Sequence, residues 1–219
     1  MPFSPAALAV SGAVVVAGGV ALWARALQQR RREALESYCL THGFTLERER
    51  PGGQEPFREI VPAFRQGHRR RWGYTISGRW NGRPFTAFEF SYTVSTGQSS
   101  HTHTVRALLW EAEDVTFPRF LCTPEGFWKR LGQKLGTQDL DFAEDAGFST
   151  AYQLQGDDET AVRALFTPQI RSFLATHTGH HLAGGGTHLF WWQSGQFPKP
   201  EELDGFLAEG DAIRRLFLK

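Results

Sequence analysis

Six of the eight histidines in this chain fall in two stretches, His101 and His103, then His177, His180, His181 and His188. Positions two apart on a strand project from the same face, so His101 and His103 present two imidazoles together. Such a pair could begin a Zn²⁺ site, which needs a third and a fourth ligand. His180 or His181 would supply one if the two segments met, and the chain would then read as a His-lined, metal-dependent hydrolase. Structural roles compete at each position. His101 borders a Ser/Thr/Gly loop, and His177 sits where a helix would bury an aromatic. No Cys and no helical His-Glu-x-x-His pattern accompanies them. The expectation is no cofactor and no metal, with His101, His103, His180 and His181 as the residues a metal would use.

Carboxylates cluster twice. Asp139-Leu140-Asp141 would put two acids on one face if extended, and Asp157, Asp158 and Glu159 gather at a turn. Either group could hold a cation or act as an acid/base pair. The second already has a structural use, because acids in a first helical turn suit its positive end. The first reads as an exposed edge. Nucleophilic chemistry has less support. There is no Gly-x-Ser-x-Gly elbow, and neither Cys39 nor Cys122 has the flanking sequence of a nucleophile class. No glycine-rich phosphate loop is present, and Gly184 to Gly186 reads as a turn. Two buried free thiols in a reducing compartment is the plain reading of the cysteines. No catalytic residue is assigned.

The arginines are more informative. Arg30, Arg31 and Arg32 follow Arg25 closely, and Arg69, Arg70 and Arg71 form a second run beside Arg65 and His68. The formal net charge of +1 gives nucleic acid no field to follow, so none is expected as a partner. Charge is uneven all the same. Residues 1–120 hold 15 Lys/Arg against 10 Asp/Glu, and residues 121–219 hold 9 against 13. A basic side chain near an anionic leaflet contributes on the order of 1 kcal/mol. Arg25, Arg30, Arg31, Arg32, Arg69, Arg70 and Arg71 are therefore the expected membrane-surface residues. The first run also sets topology, and the second would serve equally as a solvated strand end.

The elements that would position these residues begin with Ala6 to Ala24, which contains no charge. Its 19 residues approach the roughly 20 needed to cross a bilayer as a helix. Basic residues flank only its C-terminal side, with Trp23 at that end. The positive-inside rule then puts the N-terminus outside and the remainder in the cytoplasm, as a single-pass protein of the plasma (inner) membrane. A cleaved signal peptide would carry its basic residues on the other side. Ala9, Ala13, Ala17 and Ala21 recur at the small-xxx-small spacing that lets membrane helices pack, which allows homo-oligomerisation through this helix. The expected division is an anchor with its basic flank over 1–32 and a cytoplasmic domain over 33–219.

The helix is expected to continue through Leu35, Tyr38, Cys39 and His42, and Gly43 to stop it. A short strand at 44–46 and a loop at 47–56 follow. Asn81-Gly82 between apolar runs predicts a two-residue hairpin turn. Strands are expected around Trp72 to Gly78, Phe85 to Tyr92, His103 to Glu111 and Pro118 to Cys122. Thr123-Pro124 is expected to open a helix with Phe127, Trp128 and Leu131 on its apolar face. Phe148 to Leu154 reads as a strand, Asp158 and Thr167-Pro168 as helix starts, Leu189 to Gln193 as a strand, and Pro200 to Leu218 as an amphipathic helix. In that last strand one of Trp191 and Trp192 is expected to face outward. Charged residues at 21 % and aromatics at 13 % describe a globular composition.

The run from Phe148 to Glu159, continuing through Val162-Arg163-Ala164-Leu165-Phe166-Thr167-Pro168, resembles a group of uncharacterised bacterial single-pass membrane proteins with a cytoplasmic α+β domain. The Gly82-Arg83-Pro84 hairpin leading into Phe88-Glu89-Phe90 is similar to theirs as well. The resemblance spans roughly residues 65–195, implies that architecture, and carries no catalytic residues. The combined expectation is α+β: an N-terminal transmembrane helix followed by an antiparallel β-meander sheet packed by several helices. The function expected of it is a membrane-tethered, non-enzymatic interaction or scaffold module, with the lipid bilayer and a protein of unstated identity as partners.

Overall fold

The computed structural model describes residues 5–47, 68–96, 99–127 and 140–218, and the side chains of 5–18, 21 and 96 are outside that description. Most of the expected 47–56 loop, together with Arg65, Trp128, Leu131 and Asp139, lies outside the described residues.

Among the described residues, eight strands form one sheet: β1 (Thr45–Glu47), β2 (His68–Trp80), β3 (Arg83–Thr96), β4 (Ser99–Glu111), β5 (Phe117–Pro124), β6 (Tyr152–Gly156), β7 (His181–Gly186) and β8 (His188–Ser194). Their order is β1-β2-β3-β4-β8-β7-β5-β6, and neighbouring strands are antiparallel throughout. The expected meander holds for β2, β3 and β4, with β1 added at its edge, but its expected fourth strand, Pro118 to Cys122 in β5, does not lie beside β4. The last two strands then insert between it and β5–β6, because β8 pairs with the free edge of β4. At the β2–β3 turn Asn81 and Gly82 have φ of 49° and 76°, as a two-residue hairpin demands, and Trp80 pairs with Arg83 to close it.

The described helices are α1 (Pro5–His42), α2 (Ala146–Ala151), α3 (Glu159–Leu165), α4 (Pro168–Thr176) and α5 (Pro200–Phe217). The fold is therefore α+β. Strand alternation sends Leu108, Trp110, Cys122, Leu154, Leu182 and Trp191 to one side, where they meet Leu35 and Cys39 of α1, Ile170 and Leu174 of α4, and Phe206 and Leu207 of α5. The alternate residues Phe88, Phe90, Tyr92, Ala107, Phe190 and Trp192 form a second buried layer on the other side. Both tryptophans are thus buried, at 0 % and 2 % exposure, which corrects the expectation that one faces outward. Trp191 stacks on Phe206 and Trp192 on Phe190 and His181.

Helix α1 is continuous over 38 residues, about 57 Å at 1.5 Å per residue. It ends as expected at Gly43: Phe44 N donates to Cys39 O at 2.8 Å and Gly43 N to Leu40 O at 3.5 Å, the paired bonds of a Schellman ending. Among the described residues no helix is long and apolar enough to cross a membrane. The side chains of Ala6 to Ala13 and of 14–18 lie outside the described set, so the expected span is covered there only as helical backbone.

Three local expectations are corrected. Thr123-Pro124 does not open a helix; it finishes β5, with Pro124 opposite Tyr152 and Thr123 fully buried. A proline ending a strand removes no needed ladder donor. Phe148 to Leu154 is a short helix before it is a strand, because the Asp145 carboxylate accepts Phe148 N at 3.1 Å and caps α2. Gly184 belongs to strand β7, where the Phe120 ring lies 2.2 Å from the place a Cβ would take. Gly186 alone of that triplet has a positive φ.

Candidate functional site

The histidines do not converge. His101 and His103 lie opposite Val94 and Tyr92. His181 lies opposite Trp192, which faces Ala107 of β4. Two strand spacings and four residues separate His103 from His181, on the order of 16 Å. His180 turns to the helical side, where its Nδ1 accepts from Trp191 Nε1 at 3.0 Å and lies 3.3 Å from Gln193 Nε2. His181 turns the other way, onto Trp192 and Phe127. Consecutive residues at the start of a strand point to opposite faces, which takes His180 away from His101 and His103, while His181 shares their face but lies too far along the sheet to join them. Among the described residues no three metal-ligating side chains gather, and the His-lined hydrolase is set aside. Burial holds the His180 pKa below its usual value, with Glu209 offsetting in part and His177 adding to the shift. Burial, then His101, lowers that of His103.

The expected acids are structural. Asp157 lies 3.8 Å from Arg119, Asp158 caps α3 by accepting Ala161 N at 3.0 Å, and Glu159 pairs with Arg163 at 2.7 Å. Asp141 is exposed and offers its backbone carbonyl to Arg163. Sequence reasoning missed two buried charged groups. The Asp211 carboxylate, 1 % exposed, accepts from Arg214 at 2.8 Å, from Asn81 at 2.9 Å and from Arg215. Burial pushes its pKa up, but the hydrogen bonds from Asn81, Arg214 and Arg215 outweigh burial and leave it below the usual carboxylate value. The spacing Asp211, Arg214, Arg215 was a readable helical signal. Arg171 meets Asp145 at 3.0 Å and Glu144 at 3.2 Å and lies over the Phe142 ring. A separation of 26 residues gave no local sign of that contact. Cys39 and Cys122 are free and buried as expected, and burial pushes the Cys39 thiol up to about 11.

The structure does bring the two arginine runs to one end of the domain. Helix α1 lies along β2 in the opposite sense. Phe44, just past its C-terminus, packs over Gly78, while the Arg31 guanidinium lies over the Tyr74 ring at 5.6 Å. Arg25, Gln28, Gln29 and Arg32 share a surface cavity with the same tyrosine. Arg69, Arg70 and Arg71 precede Tyr74 on β2, so they continue in the direction in which α1 leaves the domain. All three are exposed. Arg30 and Arg25 are exposed as well, and Arg32 pairs with Glu36 at 2.6 Å. Arg31 fixes the helix to the domain: its Nη2 donates to Phe197 O at 2.6 Å. Phe197 N in turn donates to Glu89 at 2.6 Å. At the far end of the contact Tyr38 donates to Asp204 of α5 at 2.6 Å.

No protein-family model matches the chain, and no curated protein sequence matches it. A solved structure shares its fold. The mycobacterial trehalose monomycolate transport factor A, TtfA, matches with a TM-score of 0.54 and 14 % identity, over 86 % of this chain and 93 % of that one. At that identity the likeness concerns the fold.

Proposed function

We propose that the protein is a membrane-tethered, non-enzymatic interaction module at the inner face of a bacterial membrane. Residues 1–32 are the single-pass anchor with its basic flank, the N-terminus is outside, and residues 33–219 form a cytoplasmic domain that holds a protein partner near the leaflet. The observation that supports this most is the convergence of the two arginine runs at the end of the domain from which α1 departs. One continuous helix, fixed by Arg31, Leu35 and Cys39, would carry the orientation of the anchor into the domain. Val20, Leu22 and Trp23 are 60 % to 68 % exposed on it, apolar surface of the kind a bilayer covers. A transport factor as structural neighbour is compatible with a role that needs no active site.

Protease protection tests the reading. With a tag at each end, the C-terminal tag is expected to survive protease in intact spheroplasts and to be removed in inverted membrane vesicles. Removal of that tag in intact spheroplasts would reverse the topology, and recovery of the chain in the soluble fraction would end the tether.

A further inference from the structure

We propose that a groove beside α1 binds the headgroup of one anionic phospholipid drawn from the adjoining leaflet. The inference rests on the membrane-tether reading and adds a specific ligand to it. The groove has a volume of about 540 Å³ and runs between Leu27, Arg30, Arg31 and Ala34 on one wall and Lys199 and Pro200 on the other. That volume lies within the range of sites for small ligands.

Its polar groups suit a phosphate. Arg31 already donates Nη2 to Phe197 O, and its Nε is buried with no hydrogen-bond partner. Arg30 and Lys199 are exposed, and neither makes an ion pair with an acid among the described residues. Two acids, Glu201 and Glu202, also line the groove. Glu202 accepts Lys199 N at 3.0 Å and keeps its charge, so three cations, Arg30, Arg31 and Lys199, line the groove against two carboxylates, a net charge of one positive.

Position along α1 selects the source of the phosphate. Leu27 and Arg30 lie three and six residues beyond Ala24, the last residue of the uncharged run. At 1.5 Å per residue they sit about 5 to 9 Å past it, at the depth of the headgroup layer. A lipid could therefore enter the groove with its acyl chains still in the bilayer, beside Trp23 and Leu27.

The test uses the full chain in detergent and dioctanoyl phosphatidylglycerol as the probe, read by native mass spectrometry and titration. One molecule per chain is expected. The double variant Arg30→Gln/Lys199→Gln is expected to weaken binding roughly thirtyfold, given two basic contacts removed. Ala34→Trp fills the groove without changing charge and is expected to abolish binding. Unsaturable binding, or binding unchanged in both variants, would overturn the inference. So would displacement of the lipid by an equal concentration of inorganic phosphate, which would make the groove a plain anion site. Alkaline extraction of the same variants from membranes separates the two readings. Retention in the membrane without lipid binding sinks this inference alone, whereas release of the chain sinks the tether and this inference with it.

Discussion

Replacing Asp211 with alanine removes a carboxylate that ties α5 to the β2–β3 hairpin through Asn81. Arg214, 8 % exposed, would lose its counterion while staying buried, and Asn81 would lose an acceptor. Stranding a buried charge costs about 3 to 5 kcal/mol. Arg215 adds little, because its side chain is 61 % exposed and an exposed partner is worth at most about 1 kcal/mol. For a domain of this size each kcal/mol lowers the midpoint by about 2 to 4 °C, so a fall of roughly 10 °C is expected. Fluorescence of the buried Trp110, Trp191 and Trp192 during thermal unfolding reads it. The double variant Asp211→Ala/Arg214→Met should recover most of the loss, since replacing both members of a buried pair by apolar groups is nearly neutral. The acid limb follows the same logic. The folded pKa of Asp211 lies below its ordinary value of 3.8, so its contribution is present above that value and is lost as pH falls through the folded one. A loss under about 1 kcal/mol for Asp211→Ala, or a double variant no better than the single, would refute the reasoning.

Gly184→Val should cost at least about 1 to 3 kcal/mol in the same assay, because its Cβ would meet the Phe120 ring; an unchanged midpoint would mean the ring can move aside. His180 has a lowered pKa, so its neutral form contributes stability in full above the ordinary value of 6.5. That contribution is lost as pH falls through the folded value, and denaturation midpoints followed from pH 8 to 5 should drop less steeply in His180→Gln than in the parent. Maleimide should label native Cys39 slowly, since burial raises its thiol to about 11, and unfolding in urea should restore ordinary reactivity.

Much of the fold was legible because it follows from local chemistry. Asn81-Gly82 demanded a primed turn, Asp158 and Thr167-Pro168 carried cap chemistry, and Gly43 ended α1; each is where the sequence put it. The misreadings share a cause. Thr123-Pro124 has the same composition as Thr167-Pro168, but Thr123 is packed inside the sheet and only tertiary contacts distinguish the two. Gly184 looked like a turn because glycine also serves where a ring must lie against the backbone, and Phe120 is more than sixty residues away. The outward tryptophan failed because alternation specifies two faces and says nothing of whether one is open. The site divided in the same way. The arginine runs could be picked out by composition. Their meeting at one end depends on α1 lying antiparallel along β2, and β1 sets that by pairing with residues 75–77. The groove beside α1 had no sequence signature, since its walls are 162 or more residues apart.

The most direct test of the account is the depth of the second arginine run. A fluorescent probe on Arg71→Cys, in the full chain reconstituted into vesicles containing anionic lipid, should be quenched by lipids carrying a headgroup-level quencher. The same probe on Asp114→Cys, at the other end of the domain, should not be. Quenching at position 71 alone would put the basic end on the leaflet; equal quenching at both positions, or quenching at 114 alone, would contradict the account.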